Sequence, residues 1–150
     1  MGNNRKLRIF LDTSALIAGI VSSKGAAREI LRLAEADIID VVISKQVIVE
    51  ADRNIASKLT HMLADYRKYM KALSPELVHD PSAQDIQKYA RLINKDDAPI
   101  LTAAELSGSD YLVTWDKKHF ISANVKKGVT VQIVTPGEFL KEFREYLERL

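Results

Sequence analysis

Two kinds of apolar spacing alternate along the chain. Short unbroken runs at Leu7 to Leu11 (LRIFL), Val41 to Ile43, Tyr111 to Thr114 and Val129 to Val134 predict strands, and their β-branched and aromatic residues suit that assignment. Glu76 to His79 is a weaker strand candidate. Between these runs, apolar residues recur at helical spacing. The segment ALIAGIV after Ser14 fits a helix, and a clearer amphipathic one starts at Gly25 with Ala26, Ile30, Leu33, Ala34 and Ile38. Ser44 is placed to cap the next, whose stripe is Val47, Ile48, Ala51, Ile55 and Leu59. A helix from Thr60 to Leu73 stops before Ser74-Pro75, because the residue ahead of a proline disfavours the helical region.

Ile86, Tyr89, Ala90 and Ile93 mark a further helix. Asp96-Asp97-Ala98-Pro99 opens the next, where a first-turn proline is tolerated, and Gly108 closes it. Pro136 begins a C-terminal helix with Phe139, Leu140, Phe143, Leu147 and Leu150 on one face. That face is expected to cover the core, with homodimer contact as a secondary role. Strands that alternate with helices and lack polar alternation predict an α/β fold, a parallel sheet covered on both faces. The 150 residues fit a single domain, 1–150, with no repeat or low-complexity stretch. In such folds ligands gather beyond the carboxyl ends of the strands, where strand order reverses. Asp12 and Asp116 follow two apolar runs at that end.

Composition narrows the chemistry. Cysteine is absent, which removes thiolate nucleophiles, cysteine-ligated zinc and disulfide scaffolds, and suits a reducing interior. The net charge of +2 is too small to indicate a partner by itself. No apolar run approaches the roughly 20 residues of a membrane span. The run before Asp12 is too short for a signal peptide, and Met1-Gly2 lacks a myristoylation context because Lys6 stands where Ser or Thr is required. A cytoplasmic protein without a membrane partner is expected.

Asp12, Glu50, Asp97 and Asp116 are the acids whose placement suggests a common site. Converging carboxylates bind hard cations, and Mg²⁺ takes one or two of them directly while keeping several waters. Without a cation they repel and raise one another's pKa values. Each also has an ordinary reading. Asp12 and Asp116 suit turns after strands, Glu50 suits a solvated helix face, with Asp52 a poorer substitute, and Asp97 suits a helix N-terminus beside Asp96 as alternative N-cap. His61, His79 and His119 show no metal-ligand spacing. The basic clusters Arg5-Lys6-Arg8, Arg67-Lys68-Lys71 and Lys126-Lys127 read as solvated faces, some of which could meet phosphates. Trp115 and Tyr111 read as packing residues.

Four blocks carry a family resemblance: LDTSALI at 11–17, VIVEADRNI at 47–55, DAPILTAAELSGSDYLVT at 97–114 and WDKKHF at 115–120. The chain resembles the PIN-domain nucleases, a family that includes many bacterial and archaeal toxin ribonucleases of the VapC type. The resemblance covers nearly the whole chain; the Glu50 block is its weakest part. It implies a three-layer α/β/α sandwich with a central parallel sheet of five strands. Asp12, Glu50, Asp97 and Asp116 match the family's acidic quartet, implying metal binding and water activation, and Ser14 and Thr114 match its supporting small polar positions. The strands leading to Asp12 and Asp116 are then neighbours at the switch point. Many relatives have a further Asp or Asn two or three residues after the fourth acid, where this chain has Lys118 and His119. One Mg²⁺ or Mn²⁺ is therefore expected rather than two, and Lys117 and Lys118 are candidates for substrate phosphates.

The leading expectation is a metal-dependent endoribonuclease that hydrolyses RNA phosphodiesters, as the toxin of a pair held by an antitoxin. The alternative is a catalytically inert PIN-like module that binds RNA or a protein. A phospho-acceptor role for Asp12 fits poorly, because aspartyl phosphatases want a second Asp where Ser14 stands. No Walker loop or dinucleotide-type glycine motif is present.

Overall fold

A computed structural model describes residues 5–120 and 123–150, without the side chains of residues 123, 124 and 126. Met1, Gly2 and the Lys126 side chain, considered above, lie outside the described residues. The elements run β1 (Arg8–Leu11), α1 (Thr13–Val21), α2 (Ala26–Glu35), β2 (Asp40–Ser44), α3 (Lys45–Lys58), α4 (Leu63–Leu73), β3 (Glu76–Val78), α5 (Ala83–Tyr89), α6 (Ala98–Leu106), β4 (Tyr111–Val113), α7 (Ala123–Gly128), β5 (Gln132–Val134) and α8 (Pro136–Glu148). Short 3-10 turns at Thr60–Met62 and Lys117–His119 precede α4 and follow β4.

The five strands form one sheet in the order β3-β2-β1-β4-β5, and every pairing is parallel. Strand order therefore reverses between β1 and β4, where Leu11 registers with Val113. Right-handed crossovers in this order put α1 to α4 on one face and α5 to α7 on the other. The packing agrees: α1 lies against α2 and α3, α2 against α4 and α8, while α6 covers β2 and β4 from beside α5.

The central strands are buried on both faces, which is why they read as unbroken apolar runs. Ile9, Phe10, Val42, Ile43, Leu112 and Val113 are fully buried within a contiguous cluster that includes Leu16, Leu31, Ile55, Leu101 and Phe139. Burying a side chain of this size is worth about 1.5–3 kcal/mol relative to exposure. Gly19 brings α1 and α2 together: a Cβ there would lie 2.7 Å from Leu31 Cδ1 and 3.0 Å from the Ala27 carbonyl. Gly108 takes φ 71° after α6, the left-handed conformation that glycine tolerates at a helix end.

Several expectations change. Ile38 is 47% exposed, because α2 ends at Glu35 and Asp37 turns the chain with φ 63°, so helical spacing no longer applies. On α8, Phe139 and Phe143 are buried as expected, but Leu147 and Leu150 are exposed. Tyr111 packs edge-on to Phe139 at 5.1 Å between ring centroids, whereas Trp115 is 52% exposed and not a packing residue. The strand runs are shorter than the sequence suggested, with β4 ending at Val113 and β5 starting at Gln132.

Candidate active site

Asp12 leaves β1 as the N-cap of α1. Its backbone N–H still pairs with the Val113 carbonyl at 3.2 Å, which fixes it at the carboxyl end of the two central strands. Its Oδ1 accepts the Ala15 backbone N–H at 2.9 Å and the Ser14 hydroxyl at 2.7 Å. The Thr114 hydroxyl also favours the charged form of this carboxylate. Asp12 is thus the cap that its ordinary reading anticipated, yet it is 8% exposed, and capping alone does not require that burial. Burial pushes its carboxyl above the usual carboxylate range. The Thr114, Ala15 and Ser14 hydrogen bonds oppose the rise, and the negative charge of Asp116 adds to it.

Asp116 does not follow its strand directly, as the run DYLVTWD had suggested. Thr114 and Trp115 intervene after Val113, and the Asp116 backbone N–H donates to Thr114 Oγ1 at 2.9 Å. Thr114 is fully buried and its own N–H donates to the Val134 carbonyl at 3.0 Å, so the supporting hydroxyl is anchored to β5. Ser14 serves both sides of the switch point, donating to Asp12 and accepting the Trp115 backbone N–H at 3.2 Å.

Asp97, rather than Asp96, is the N-cap residue of α6, but its side chain makes no capping hydrogen bond. The backbone N–H groups of Asp96 and Asp97 instead donate to Asn94 Oδ1 at 2.9 and 3.2 Å. Burial raises the Asp97 carboxyl, with further upward contributions from Asp96 and Asp116. His119 counters them, its Nδ1 standing 3.9 Å from Asp97 Oδ2. Asp116 therefore contributes negative charge at both Asp12 and Asp97.

Glu50 is tied to the start of α1 through Thr13. The Thr13 hydroxyl donates to Glu50 Oε2 at 2.7 Å, and Gln46 Nε2 donates to Oε1 at 2.9 Å from one helical turn away. Asp52, the weaker alternative, is bound by the Tyr66 hydroxyl at 2.6 Å and ties α3 to α4.

Lys117 and Lys118 differ in position. The Lys117 ammonium lies 2.8 and 2.6 Å from the two Glu138 carboxylate oxygens, whereas Lys118 is exposed. Arg5, Lys6 and Arg8 stand at the opposite end of β1 from Asp12. Arg5 grips Asp110 through both guanidinium nitrogens, Arg8 pairs with Glu76, and Lys6 pairs with Asp37.

Sequence reasoning missed Thr13, Gln46, Asn94 and His119. Gln46 stands four residues before Glu50, and Asn94 three before Asp97, spacings typical of side-chain contacts on helices and at turns. The contacts of Thr13 and His119 cross between elements and leave no local signal.

The donor set consists of carboxylate oxygens supported by hydroxyls, the hard-oxygen chemistry that suits Mg²⁺ or Mn²⁺. Among the described residues, no three His, Asp or Glu side chains form a ready-made coordinating group. The match to a metal is thus one of donor chemistry, not of a closed protein cage.

The sequence profile of the PIN domain matches residues 8–118, from β1 through the turn that carries Asp116. The chain belongs to the PIN-domain family. No curated protein matches it in sequence. Among solved structures, this PIN domain is similar to PAE2754 from Pyrobaculum aerophilum, at 19% identity and a TM-score of 0.60, over 90% of this chain and 94% of that one. It is similar to DNA-bound VapBC from Salmonella typhimurium at 19% identity and a TM-score of 0.64, covering 87% and 98% of the two chains. VapBC2 from Rickettsia felis, bound to a DNA fragment from their promoter, gives 18% identity and a TM-score of 0.61 over 85% and 97%. At these identities the likeness is one of fold, and it agrees with the expected α/β/α architecture. No helix among the described residues is long and apolar enough to cross a membrane.

Proposed function

We propose that this PIN domain is a metal-dependent endoribonuclease, with Asp12, Asp97 and Asp116 as ligands of one Mg²⁺ or Mn²⁺ and Glu50 completing the site. The observation that carries the reading is Asp12: a buried carboxylate beside like charge, held by Ser14, Thr114 and a backbone N–H. Burying such a charge opposes folding unless something cationic compensates it. The carboxylate and hydroxyl donors suit an ion that uses one or two carboxylates and fills its remaining positions with water, as Mg²⁺ usually does. When bound, such an ion supplies an activated water at neutral pH and neutralises charge that develops on the phosphate.

The chain's own residues have distinct tasks in this reading. Ser14 and Thr114 hold Asp12 as the anion and fix its orientation. Glu50, which accepts hydrogen bonds from Thr13 and Gln46, takes the proton of the attacking water in this reading. Lys118 offers a free-standing positive charge to substrate phosphate, a role that Lys117 fills less well because Glu138 already neutralises it. RNA is the proposed substrate through the family resemblance, and unpaired segments are the accessible ones.

The deciding experiment compares wild type with Asp12→Asn at equal folded concentration, on single-stranded RNA with Mn²⁺, with Mg²⁺ and with chelator. Cleavage that needs metal and is lost in the variant supports the reading; cleavage that survives Asp12→Asn defeats it. A second reading, an inert RNA- or protein-binding module, is favoured by the lack of a ready-made three-ligand group among the described residues. Tight RNA binding without metal-dependent cleavage would select it. An antitoxin partner is proposed through the same resemblance. Its test is co-expression with the product of an adjacent small reading frame, where a stable complex that suppresses cleavage is expected and independent purification of the two argues against it.

A further inference from the structure

Trp115 stands apart from the other aromatic residues. It is the chain's single tryptophan, and the residue is 52% exposed. The other large exposed apolar side chains among the described residues are aliphatic. Leaving an indole ring in water forgoes one of the largest burial gains a side chain can make.

The backbone beneath this ring is nevertheless tightly held. The Trp115 N–H donates to Ser14 Oγ at 3.2 Å, and the next N–H, that of Asp116, donates to Thr114 Oγ1 at 2.9 Å. The Ser14 hydroxyl also donates to the Asp12 carboxylate, and the Thr114 hydroxyl favours its charged form. The ring is thus mounted on the network that positions the acids, between Thr114 and Asp116, with the exposed Lys118 three residues on. An aromatic face, a carboxylate and a cation on one short segment match what a nucleotide offers: a base, a phosphodiester to be cut and a phosphate backbone.

We propose that Trp115 is a base-stacking residue that seats an unpaired nucleobase beside the phosphodiester presented to the acids. This rests on the RNA reading above and adds a substrate-positioning residue to it. Stacking requires a base that can leave its neighbours, so Trp115 selects single-stranded over duplex RNA and tolerates many sequences, since every base offers a π-face. Fixing the base at a rigid point fixes which phosphate reaches Asp12 and Asp116.

The test uses the full chain carrying Asp12→Asn, so that RNA is bound without turnover. Because Trp115 is the single tryptophan, fluorescence excited at the red edge, where tyrosine does not absorb, reports on it alone. Titration with single-stranded oligoadenylate RNA should quench that fluorescence, and the matching duplex should quench it far less. By anisotropy with labelled oligoadenylate, Trp115→Ala should weaken binding about tenfold, and Trp115→Phe should restore most of the loss. The ring is exposed, so both variants should keep the wild-type circular dichroism and urea midpoint. Binding by anisotropy with unchanged fluorescence and full affinity in Trp115→Ala overturns the stacking role while leaving the RNA reading intact. Absence of binding by every variant, together with absence of cleavage by wild type, overturns both.

Discussion

The Thr13 hydroxyl donates to Glu50 Oε2 at 2.7 Å, joining the residue after Asp12 to a side chain on α3 that lies 37 positions further along the chain. The bond crosses from α1 to α3, whereas the other side-chain partner of Glu50, Gln46, lies on its own helix. Thr13→Val keeps the shape and removes the donor, so Glu50 loses its tie to α1. RNA cleavage should fall about tenfold, the scale of one positioning hydrogen bond worth about 1.5 kcal/mol. Thr13→Ser should retain most of the activity. Equal kcat values for wild type and Thr13→Val would remove Glu50 from the working site.

Asp12 makes metal-free stability depend on pH in a defined direction. Its carboxyl is raised in the fold above the ordinary value of 3.8. Well below that value both folded and unfolded chains carry the proton, and the group contributes nothing to the difference. As pH rises, the unfolded chain ionises first while the folded one keeps its proton, so stability falls until the folded group ionises too. Asp97 is raised by burial and acts in the same direction. Asp12→Asn removes this effect while keeping an N-cap acceptor. In chelator, urea midpoints should show the variant gaining on wild type from acid toward neutral pH, with the largest gap at neutrality. A gap that stayed constant across that range would contradict the assignment.

Much of this was legible in the sequence because the relevant signals are local. The unbroken run before Asp12, the capping Ser44 and the Asp97-Ala98-Pro99 helix start each express one element's needs, and all three hold in the fold. Errors arose where a second element decides the outcome. The apolar run Tyr111 to Thr114 reads as a strand with Trp115 packed beside it, but β4 ends at Val113 and Trp115 lies in solvent. Periodicity put Leu147 and Leu150 on the face of Phe139; it says which residues share a face, not where the neighbouring layer stops. Lys117 read as a free cation because Glu138, 21 positions away, is invisible to local pattern.

The contact between α1 and α2 at Gly19 should be intolerant of even one added carbon. Alanine favours a helix over glycine by about 1 kcal/mol, but its methyl would meet the buried Leu31 side chain at 2.7 Å and the Ala27 carbonyl at 3.0 Å. Overpacking of this kind costs about 1–3 kcal/mol, so Gly19→Ala should be destabilised by about 1 kcal/mol net. Gly137, in the first turn of α8, has open space around its would-be Cβ and serves as the control. Urea denaturation should show Gly137→Ala unchanged or more stable than wild type. A Gly19→Ala variant as stable as the control would mean that the helix pair has slack.

Lys117 and Lys118 are adjacent in sequence, yet they should respond differently to substitution. Lys117 is half of an ion pair with Glu138, whose Oε1 also accepts the Thr135 N–H in the capping box of α8. Its charge is locally cancelled, so replacing it should change RNA binding little and act mainly through the α8 terminus, by well under 1 kcal/mol for an exposed pair. Lys118 is exposed, and a phosphate contact there would release counterions. In the Asp12→Asn background, Lys118→Ala should weaken RNA binding and reduce the slope of log affinity against log salt by about 0.7 for single-stranded RNA. Lys117→Ala should leave that slope near its starting value. If Lys117→Ala reduced the slope and Lys118→Ala did not, the Glu138 pair would have to open on substrate binding, and the phosphate path would run along α8 rather than past Trp115.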